Sequence, residues 1–353
     1  MWDAIIAGGG PAGSLAAHVL AQSGRRVLFA DTDDFNTHKV GEALPGAALR
    51  ILRKLSLPTP DCSAEHHPIS GNLSSWNSEE LVPNDFIEDP DGPGWRLDRL
   101  CFDRTLREYA VHSGATFMKS NVVDVKRTGE RWHVKLHNGD IFGARWLIDA
   151  TGRRAALARR VGAIRKRDVP LVGLYRLGKP EARDYLNRTV VESAPRGWWY
   201  AAFLPTGVPI AGLHVRPQDL AQFTPKSDGW HRALSETRHI RSVFSTTIFD
   251  SPLSPLDASG ARLDRFAGDG WIACGDAAMS FDPLSSQGIF SALHGGMTVG
   301  WAVAAALDGQ HEAIASYAAR LEEIRRIYLM RLRTIYRSER RWRSELFWLT
   351  FQN

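Results

Sequence analysis

The sequence predicts an α/β protein in which a Rossmann-like, doubly wound sheet that binds a dinucleotide is interleaved with an antiparallel β-sheet and followed by C-terminal helices. Three observations carry this reading. A strand, a glycine loop and a helix open the chain as WDAIIA, GGGPAG and SLAAHVLAQSG. The next strand, RRVLFAD, ends on an acidic residue, Asp31. Late in the chain a further strand, GWIAC, runs into Gly275-Asp276 and then a long apolar helix. Strand, glycine loop, helix and acidic strand end form half of a nucleotide-binding sheet.

The remaining elements follow in order. From Pro58 to Gly94 the composition shifts to Pro, Ser, Asn and Asp, an excursion out of that sheet. A helix returns in RLCFDRTLREYAVHSG, with Asp98 as its cap and Gly114 as its end. Three β-rich runs come next, NVVDVKR, RWHVKLH and DIFGARWLIDA, separated by Thr128-Gly129-Glu130 and by Asn138-Gly139. The Asn-Gly step signals a hairpin, so these runs read as a β-meander leading into a buried strand that ends at Asp149-Ala150-Thr151-Gly152. Four more strands, VPLVGLYRL, RTVVESA, GWWYAAFLP and VPIAGLHV, suggest an antiparallel second layer over residues 168–257. From about His311 the chain reads as helical and holds nine arginines between Arg320 and Arg343. The expected division is therefore 1–57, 95–167 and 258–310 for the dinucleotide domain, 58–94 and 168–257 for a substrate domain, and 311–353 for C-terminal helices.

Composition narrows the function classes. With 353 residues, 44% of them apolar and 24% charged, the chain can bury a large core. The net charge of +5 is spread along the chain rather than gathered in one block, and a dinucleotide phosphate accounts for part of it, so nucleic-acid binding is not expected. Cys62, Cys101 and Cys274 are odd in number and form no CxxC pair, which argues against a disulfide framework or a cysteine zinc site and fits a reducing cytoplasm. With a strand already starting at Trp2, no cleavable leader is expected. The run Ile289 to Leu307 lacks a formal charge for nearly a membrane span, but it holds His294 and Gly295-Gly296, and it is expected to be a buried helix rather than a transmembrane segment.

The glycine loop carries the first chemistry. Gly8 allows the tight turn, Gly10 lets the backbone approach a pyrophosphate, and Gly13 lets the helix pack on the strand, with Pro11 and Ala12 between them. Asp31, eighteen residues after Gly13, stands where a carboxylate accepts both ribose hydroxyls of an adenosine. NAD and FAD both satisfy this much. GWIACGDAAMSFDPLSSQG decides for FAD. Asp276 follows a strand and precedes a Pro-Gly loop, where a carboxylate binds the ribityl hydroxyls that only a flavin has. Gly288 and Ile289 then open the long helix, whose positive end would face the flavin edge that gains charge on reduction.

On these residues the sequence resembles the flavoprotein monooxygenases of the para-hydroxybenzoate hydroxylase fold, together with the flavin-dependent halogenases. The resemblance runs through GGGPAG, Asp31, KVGEALPG, the RLCFDRTL helix, DATG, and GDAA followed by DPLSSQG. It implies cofactor contacts at Gly8, Gly10, Pro11, Ala12, Gly13 and Asp31, and again at Gly275, Asp276, Pro283, Gly288 and Ile289. It further implies Arg99 near the phosphates or ribityl chain, the Val122 backbone near the adenine, and Lys39 and Glu42 near the cofactor or the active-site rim. A solvated Lys39 fits the sequence equally well. GEALPG, GWWYAAFLP, DPLSSQG and ERRWRSELFW look closest to short halogenase-like flavoproteins, some of which modify tryptophan in partner polypeptides for tryptophylquinone enzymes.

The same resemblance speaks against halogenation. Tryptophan halogenases need a lysine shortly after their GE-containing segment, and this chain has none between Lys54 and Lys119. They carry a glutamate where Leu284-Ser285-Ser286-Gln287-Gly288 places Ser285, and their Trp-x-Trp-x-Ile-Pro segment is only partly echoed by Trp198-Trp199-Tyr200 and Pro205. No other constellation is convincing. His66-His67 read as solvent-facing, no metal site is expected, and His214 and His294 read as structural histidines.

The resemblance therefore implies aromatic hydroxylation through a flavin C4a-hydroperoxide, chemistry held by the cofactor and in need of no side-chain nucleophile. No residue is assigned as catalytic acid or base. Trp76, Trp198, Trp199, Tyr200 and Phe203 are expected to line the substrate, although aromatics on a sheet equally serve a core. Electrons would come from NAD(P)H or a separate flavin reductase. The stretches Leu73 to Ile87 and Gly197 to Pro205 contain no Arg or Lys to hold a small acid, so a tryptophan-bearing polypeptide is the expected partner. Arg325, Arg333, Arg337, Arg340 and Arg343 are candidates for meeting it, against a solvated helix face paired with Glu322, Glu323 and Glu339. A halogenase with displaced groups, a reductase of isoprenoid type and a non-catalytic FAD-binding maturation factor stay open.

Overall fold

The structure is a computed structural model that describes residues 1–32, 39–86, 89–179, 187–224, 227–249 and 251–352. The chain divides into two compact units. The first comprises Met1–Thr59, Arg99–Arg167 and Ala261–Arg326, and the second comprises Pro60–Asp98, Asp168–Gly260 and Ile327–Asn353. The residues from 311 onward, set apart above as one segment, are thus shared between them, the division falling inside the helix Glu312–Ser338. Ile87, which closes one of the segments singled out from the sequence, lies outside the described residues.

In the first unit a parallel sheet runs Trp271–Ala273, Ile141–Asp149, Trp2–Ala7, Val27–Asp31 and Thr116–Lys119. Its register places Ala7 opposite both Ala30 and Asp149, and Asp149 opposite Ala273. The segments that carry the motifs therefore all leave the sheet at its carboxyl edge, where open α/β sheets bind ligands. The meander exists as read, with turns at Gly129 (φ 60°) and Gly139 (φ 95°). Its third strand and the buried strand are one element: Ile141–Ala144 pairs with the hairpin, and Ala144–Asp149 pairs in parallel with Trp2–Ala7.

The helix Gly288–Leu307 is long and apolar enough to cross a membrane, and 61% of its apolar window is buried. Its glycines explain the composition. A Cβ on Gly296 would stand 2.2 Å from the Ala12 carbonyl, and one on Gly300 would stand 2.7 Å from Val19. The helix thus crosses the glycine-loop helix Pro11–Gln22 at backbone contact, which small residues alone permit.

The second unit is built on a seven-stranded sheet ordered Ser254–Asp257, Val172–Leu177, Pro209–Val215, Gly197–Phe203, Arg188–Ala194, Gly71–Ser75 and Val82–Asp85. It is antiparallel except where Arg188–Ala194 and Gly71–Ser75 run parallel. Two of the outer strands thus come from the Pro- and Asn-rich excursion, whose strand content its composition concealed. Two helices, Gly229–Ser235 and His239–Val243, cover one face with Trp230, Ala233 and Ile240. The buried Glu192 carboxylate caps the second of them, accepting from the N–H groups of Arg238, His239 and Ile240 at 2.7 to 2.9 Å.

His66 corrects an expectation. It is buried, not solvent-facing, because its Nδ1 accepts the Asp98 N–H at 3.1 Å, and burial holds its pKa below the usual value.

Candidate functional site

The glycines of the first loop divide by what requires them. Gly8 adopts φ 106°, and a Cβ there would lie 2.2 Å from the Ala150 carbonyl; a Cβ on Gly13 would lie 1.9 Å from the Gly8 carbonyl. The protein's own backbone demands both. A Cβ on Gly10 meets nothing within 4 Å. No protein atom explains Gly10, and space beside a helix start that no side chain caps is what a pyrophosphate needs.

Asp31 ends its strand with one oxygen on the loop: Oδ2 accepts the Gly9 N–H at 2.5 Å, with the Arg107 guanidinium 3.9 Å away. Arg107 also donates to the Gly9 carbonyl at 3.2 Å and lies over the Phe117 ring. The side chain of Asp31 stays part-exposed. Val122 opens the hairpin strand Val122–Thr128 opposite Leu136.

Arg99 and Lys39 converge on a residue that sequence reasoning passed over. Arg99 donates through Nε and Nη2 to both oxygens of the buried Asp103 at 3.2 Å each, and Lys39 Nζ lies 3.1 Å from Oδ2. Arg99 also donates to the Gly41 carbonyl at 2.6 Å, tying the KVGE segment to the helix Arg99–His112. The Arg-to-Asp spacing of four within a helix was the available signal. Glu42 is buried, with Oε2 accepting the Gly41 N–H at 3.2 Å.

At the other end of the site Gly275 adopts φ 57°, and a Cβ there would press on Ala12 at 2.8 Å. Asp276 follows, with Arg153 Nε 3.5 Å from its carboxylate and 31% of its side chain accessible. Burial pushes its pKa above the usual carboxylate range, and the guanidiniums of Arg153, Arg165 and Arg99 oppose this. About a third of the side chain is open to solvent beside a cation, a setting in which a carboxylate accepts from hydroxyls. Arg165 donates to the Asp276 carbonyl at 3.1 Å and to Ser280 at 2.8 Å, and Arg153 donates to the Phe281 carbonyl at 2.9 Å. Neither arginine was singled out from the sequence.

Pro283 opens the short turn Pro283–Ser285, which the Asp282 carboxylate caps at Leu284 N, 2.9 Å. The helix then begins at Gly288 with no side-chain cap; Ile289 is buried, and a Cβ on Gly288 would meet nothing. Asp149 of DATG, by contrast, spends both oxygens on its own turn, accepting from Thr151 N and Oγ1 and from Ala158 N at 2.7 to 2.9 Å.

The aromatic residues lie in the second unit, and the strand pleat separates them. Trp199 and Phe203 point into the core with Trp230, Ile240 and Phe244, so these two are core residues rather than part of a substrate wall. Trp198 and Tyr200 take the opposite face. Trp198 is buried there, stacked on His214 at 3.6 Å and donating from Nε1 to Tyr336 Oη at 3.0 Å, while His214 Nε2 shares a hydrogen bond with Tyr175 Oη at 2.9 Å. Tyr200 is half-buried and edge-on to Tyr175. Trp76 donates to the Ile335 carbonyl at 2.9 Å and packs edge-on against Tyr336 and Trp348. Of the five expected aromatics, Tyr200 keeps the most accessible setting on the sheet.

The first unit thus offers open glycine positions at two uncapped helix starts and part-exposed carboxylates on the same sheet edge, and these fit a FAD. The FAD binding domain family matches residues 1–328. The chain belongs to this family. It is a FAD-dependent oxidoreductase, as the sequence implied. Over 356 residues it is 27% identical to LodB of Marinomonas mediterranea, covering 98% of this chain and 96% of that one. Among solved structures it is similar to CmlS, a flavin-dependent halogenase, with a TM-score of 0.87 at 22% identity over 99% of this chain and 67% of that one. It is also similar to QhpG, a peptidyl tryptophan dihydroxylase essential for tryptophylquinone cofactor biogenesis, with a TM-score of 0.80 at 22% identity, covering 100% of this chain and 79% of that one.

Proposed function

We propose that this protein is a flavin-dependent monooxygenase that hydroxylates an electron-rich aromatic ring, and that the ring is a tryptophan side chain carried by a polypeptide. The observation that carries this reading is the turn before the helix Gly288–Leu307. The halogenase glutamate is replaced there by Ser285, whose hydroxyl is spent on the Asp282 carbonyl at 2.7 Å. No ionisable group stands at that position, and the chain has no lysine between Lys54 and Lys119 to handle an oxidised halide.

FAD, when bound and reduced, supplies activated oxygen for insertion into the ring. The chain's own residues bind and orient. Gly10 and the helix start at Pro11 accommodate the pyrophosphate, Asp31 the adenosine ribose and Asp276 the ribityl hydroxyls. Arg99 and Lys39, both fixed by Asp103, keep positive charge beside a dianionic cofactor. Similarity to a dihydroxylase of peptidyl tryptophan supports a polypeptide substrate. So does the absence of Arg and Lys from the described part of the Leu73 to Ile87 segment and from Gly197 to Pro205. Electrons are delivered by NAD(P)H or by a separate flavin reductase.

The test is product mass. FAD-loaded enzyme, reduced and then exposed to oxygen, is incubated with free tryptophan and with tryptophan-bearing peptides, in bromide and without it. Gain of oxygen on a peptide, unaltered by bromide, is expected. A brominated indole that depends on the enzyme would replace this reading with halogenation. Gain of two hydrogens would point to a reductase, and an unaltered substrate to a maturation factor.

A further inference from the structure

We infer that the C-terminal segment from Met330 to Leu349 is the docking surface for an acidic stretch of the polypeptide that presents the aromatic ring. The inference rests on the proposed polypeptide substrate. Between residues 327 and 353 the sequence holds six arginines, two glutamates, and neither lysine nor aspartate. Four of the chain's five net positive charges thus sit in this one stretch of the second unit.

Elsewhere in the second unit several arginines are matched by carboxylates, Arg188 with Asp85, Arg196 with Glu236 and Arg216 with Asp219. In the segment itself Arg341 is paired with the buried Glu339 at 2.9 Å. Arg331, Arg333, Arg337, Arg340 and Arg343 are all exposed, and among the described residues none forms an ion pair with a carboxylate, although Arg337 donates to the Gln352 carbonyl at 3.3 Å. Arg325 belongs to the first unit and plays no part here.

The charges alternate with apolar side chains left open to water. Met330 is 57% exposed, Leu346 63% and Leu349 45%. On the helix Glu312–Ser338 the buried line Tyr328 and Tyr336 points inward, while Met330, Arg333 and Arg337 follow one another at three- and four-residue spacing on the outer side. Arginine forks and scattered apolar anchors are the composition of a protein interface, where lysine is depleted. A membrane-surface helix would gather its apolar residues on one face, and here that face is turned to the core.

The surface is also held in place. Glu339 accepts from Asn77 N at 2.6 Å and from Arg341 Nε at 3.1 Å, and Trp348 Nε1 donates to the Ala194 carbonyl at 2.9 Å. A partner therefore meets a preorganised surface and loses less freedom on binding.

The test measures binding of the FAD-loaded full chain to a fluorescent peptide of Asp, Glu and Ser around one tryptophan, and to its Asn, Gln and Ser counterpart. Anisotropy should show the acidic peptide bound about tenfold or more tightly, with affinity falling as salt rises. The charge-reversed variant R333E/R337E/R340E should lose that preference, and the neutral variant R333Q/R337Q/R340Q should lose most of it, both keeping their FAD content. Equal binding of the two peptides, or an unchanged preference in both variants, would overturn the inference. So would tighter arginine-dependent binding to phosphatidylglycerol vesicles, to duplex DNA or to a second copy of the chain. Docking without oxygenation would count against the monooxygenase reading alone, and peptide oxygenation indifferent to these arginines would count against the docking surface alone.

Discussion

The glycine loop of the first unit and the aromatic strand Gly197–Phe203 of the second carry equally prominent sequence signals, yet they translate into structure differently. In the loop each glycine has one local fate, because Gly8 and Gly13 are fixed by carbonyls at 2.2 and 1.9 Å and Gly10 faces open space. In the strand, neighbouring tryptophans part company: Trp199 is core and Trp198 stacks on His214 on the other face. A spacing motif constrains a single stretch of backbone. Aromatic content says nothing about a face until pleat and register are known.

The sharpest way to break this comparison is Trp199→Ala. A core role predicts a loss of about 3 to 5 kcal/mol in the second unit, read by urea unfolding, with FAD content unchanged in the protein that stays folded. Tyr200→Phe, on the other face, should leave stability within about 0.5 kcal/mol and act on turnover instead. If Trp199→Ala were nearly neutral and abolished turnover, Trp199 would belong to the substrate site after all.

The glycine loop offers the matching pair. Gly13→Ala forces a carbon into the Gly8 carbonyl and should cost about 3 kcal/mol, with loss of FAD as a consequence. Gly10→Ala should leave the apo-protein's melting curve unmoved and weaken FAD binding about tenfold or more. Equal destabilisation by the two would show that Gly10 is structural as well.

Glu339→Gln addresses the anchor of the C-terminal segment and should cost about 2 kcal/mol at neutral pH. Burial alone would raise the Glu339 pKa, but Arg341, Ser193 and the N–H groups of Asn77 and Arg341 outweigh it and hold the folded-state value below the unfolded one. Stability from this group is therefore complete above the unfolded value and is lost as pH falls through the folded one. The variant should show a shallower loss of stability on acidification. An acid limb as steep as the wild type's would mean that Glu339 contributes nothing to it.

Much of the first unit was legible because its motifs are local. The Asn138-Gly139 hairpin, the strand ending at Asp31 and the Gly275-Asp276 turn each follow from a few adjacent residues. What stayed hidden depends on distance along the chain. Asp103 meets Lys39 across 64 residues, and Glu339 meets Ser193 across 146. The strands Gly71–Ser75 and Val82–Asp85 are polar and contain Pro83, and they became strands because the seven-stranded sheet offered them edges. In the sequence Gly295-Gly296 spoke only against a membrane span, and what Gly296 and Gly300 do depends on the crossing with Pro11–Gln22.

A further variant, Asp276→Asn, bears on the cofactor alone. It should weaken FAD binding by roughly 1.5 to 3 kcal/mol while the fold survives, as measured by flavin fluorescence titration. An unchanged affinity would leave Asp276 as a turn residue held by Arg153.

The central claim is oxygen insertion into a polypeptide-borne indole, and isotopically heavy oxygen gas tests it most directly. Reduced FAD-loaded enzyme is mixed with a tryptophan-bearing peptide under the heavy gas, with bromide present, and the modified residue is located by tandem mass spectrometry. The account predicts heavy oxygen on the tryptophan ring and no halogen. Oxygen drawn from water, or bromine on the ring, would contradict it.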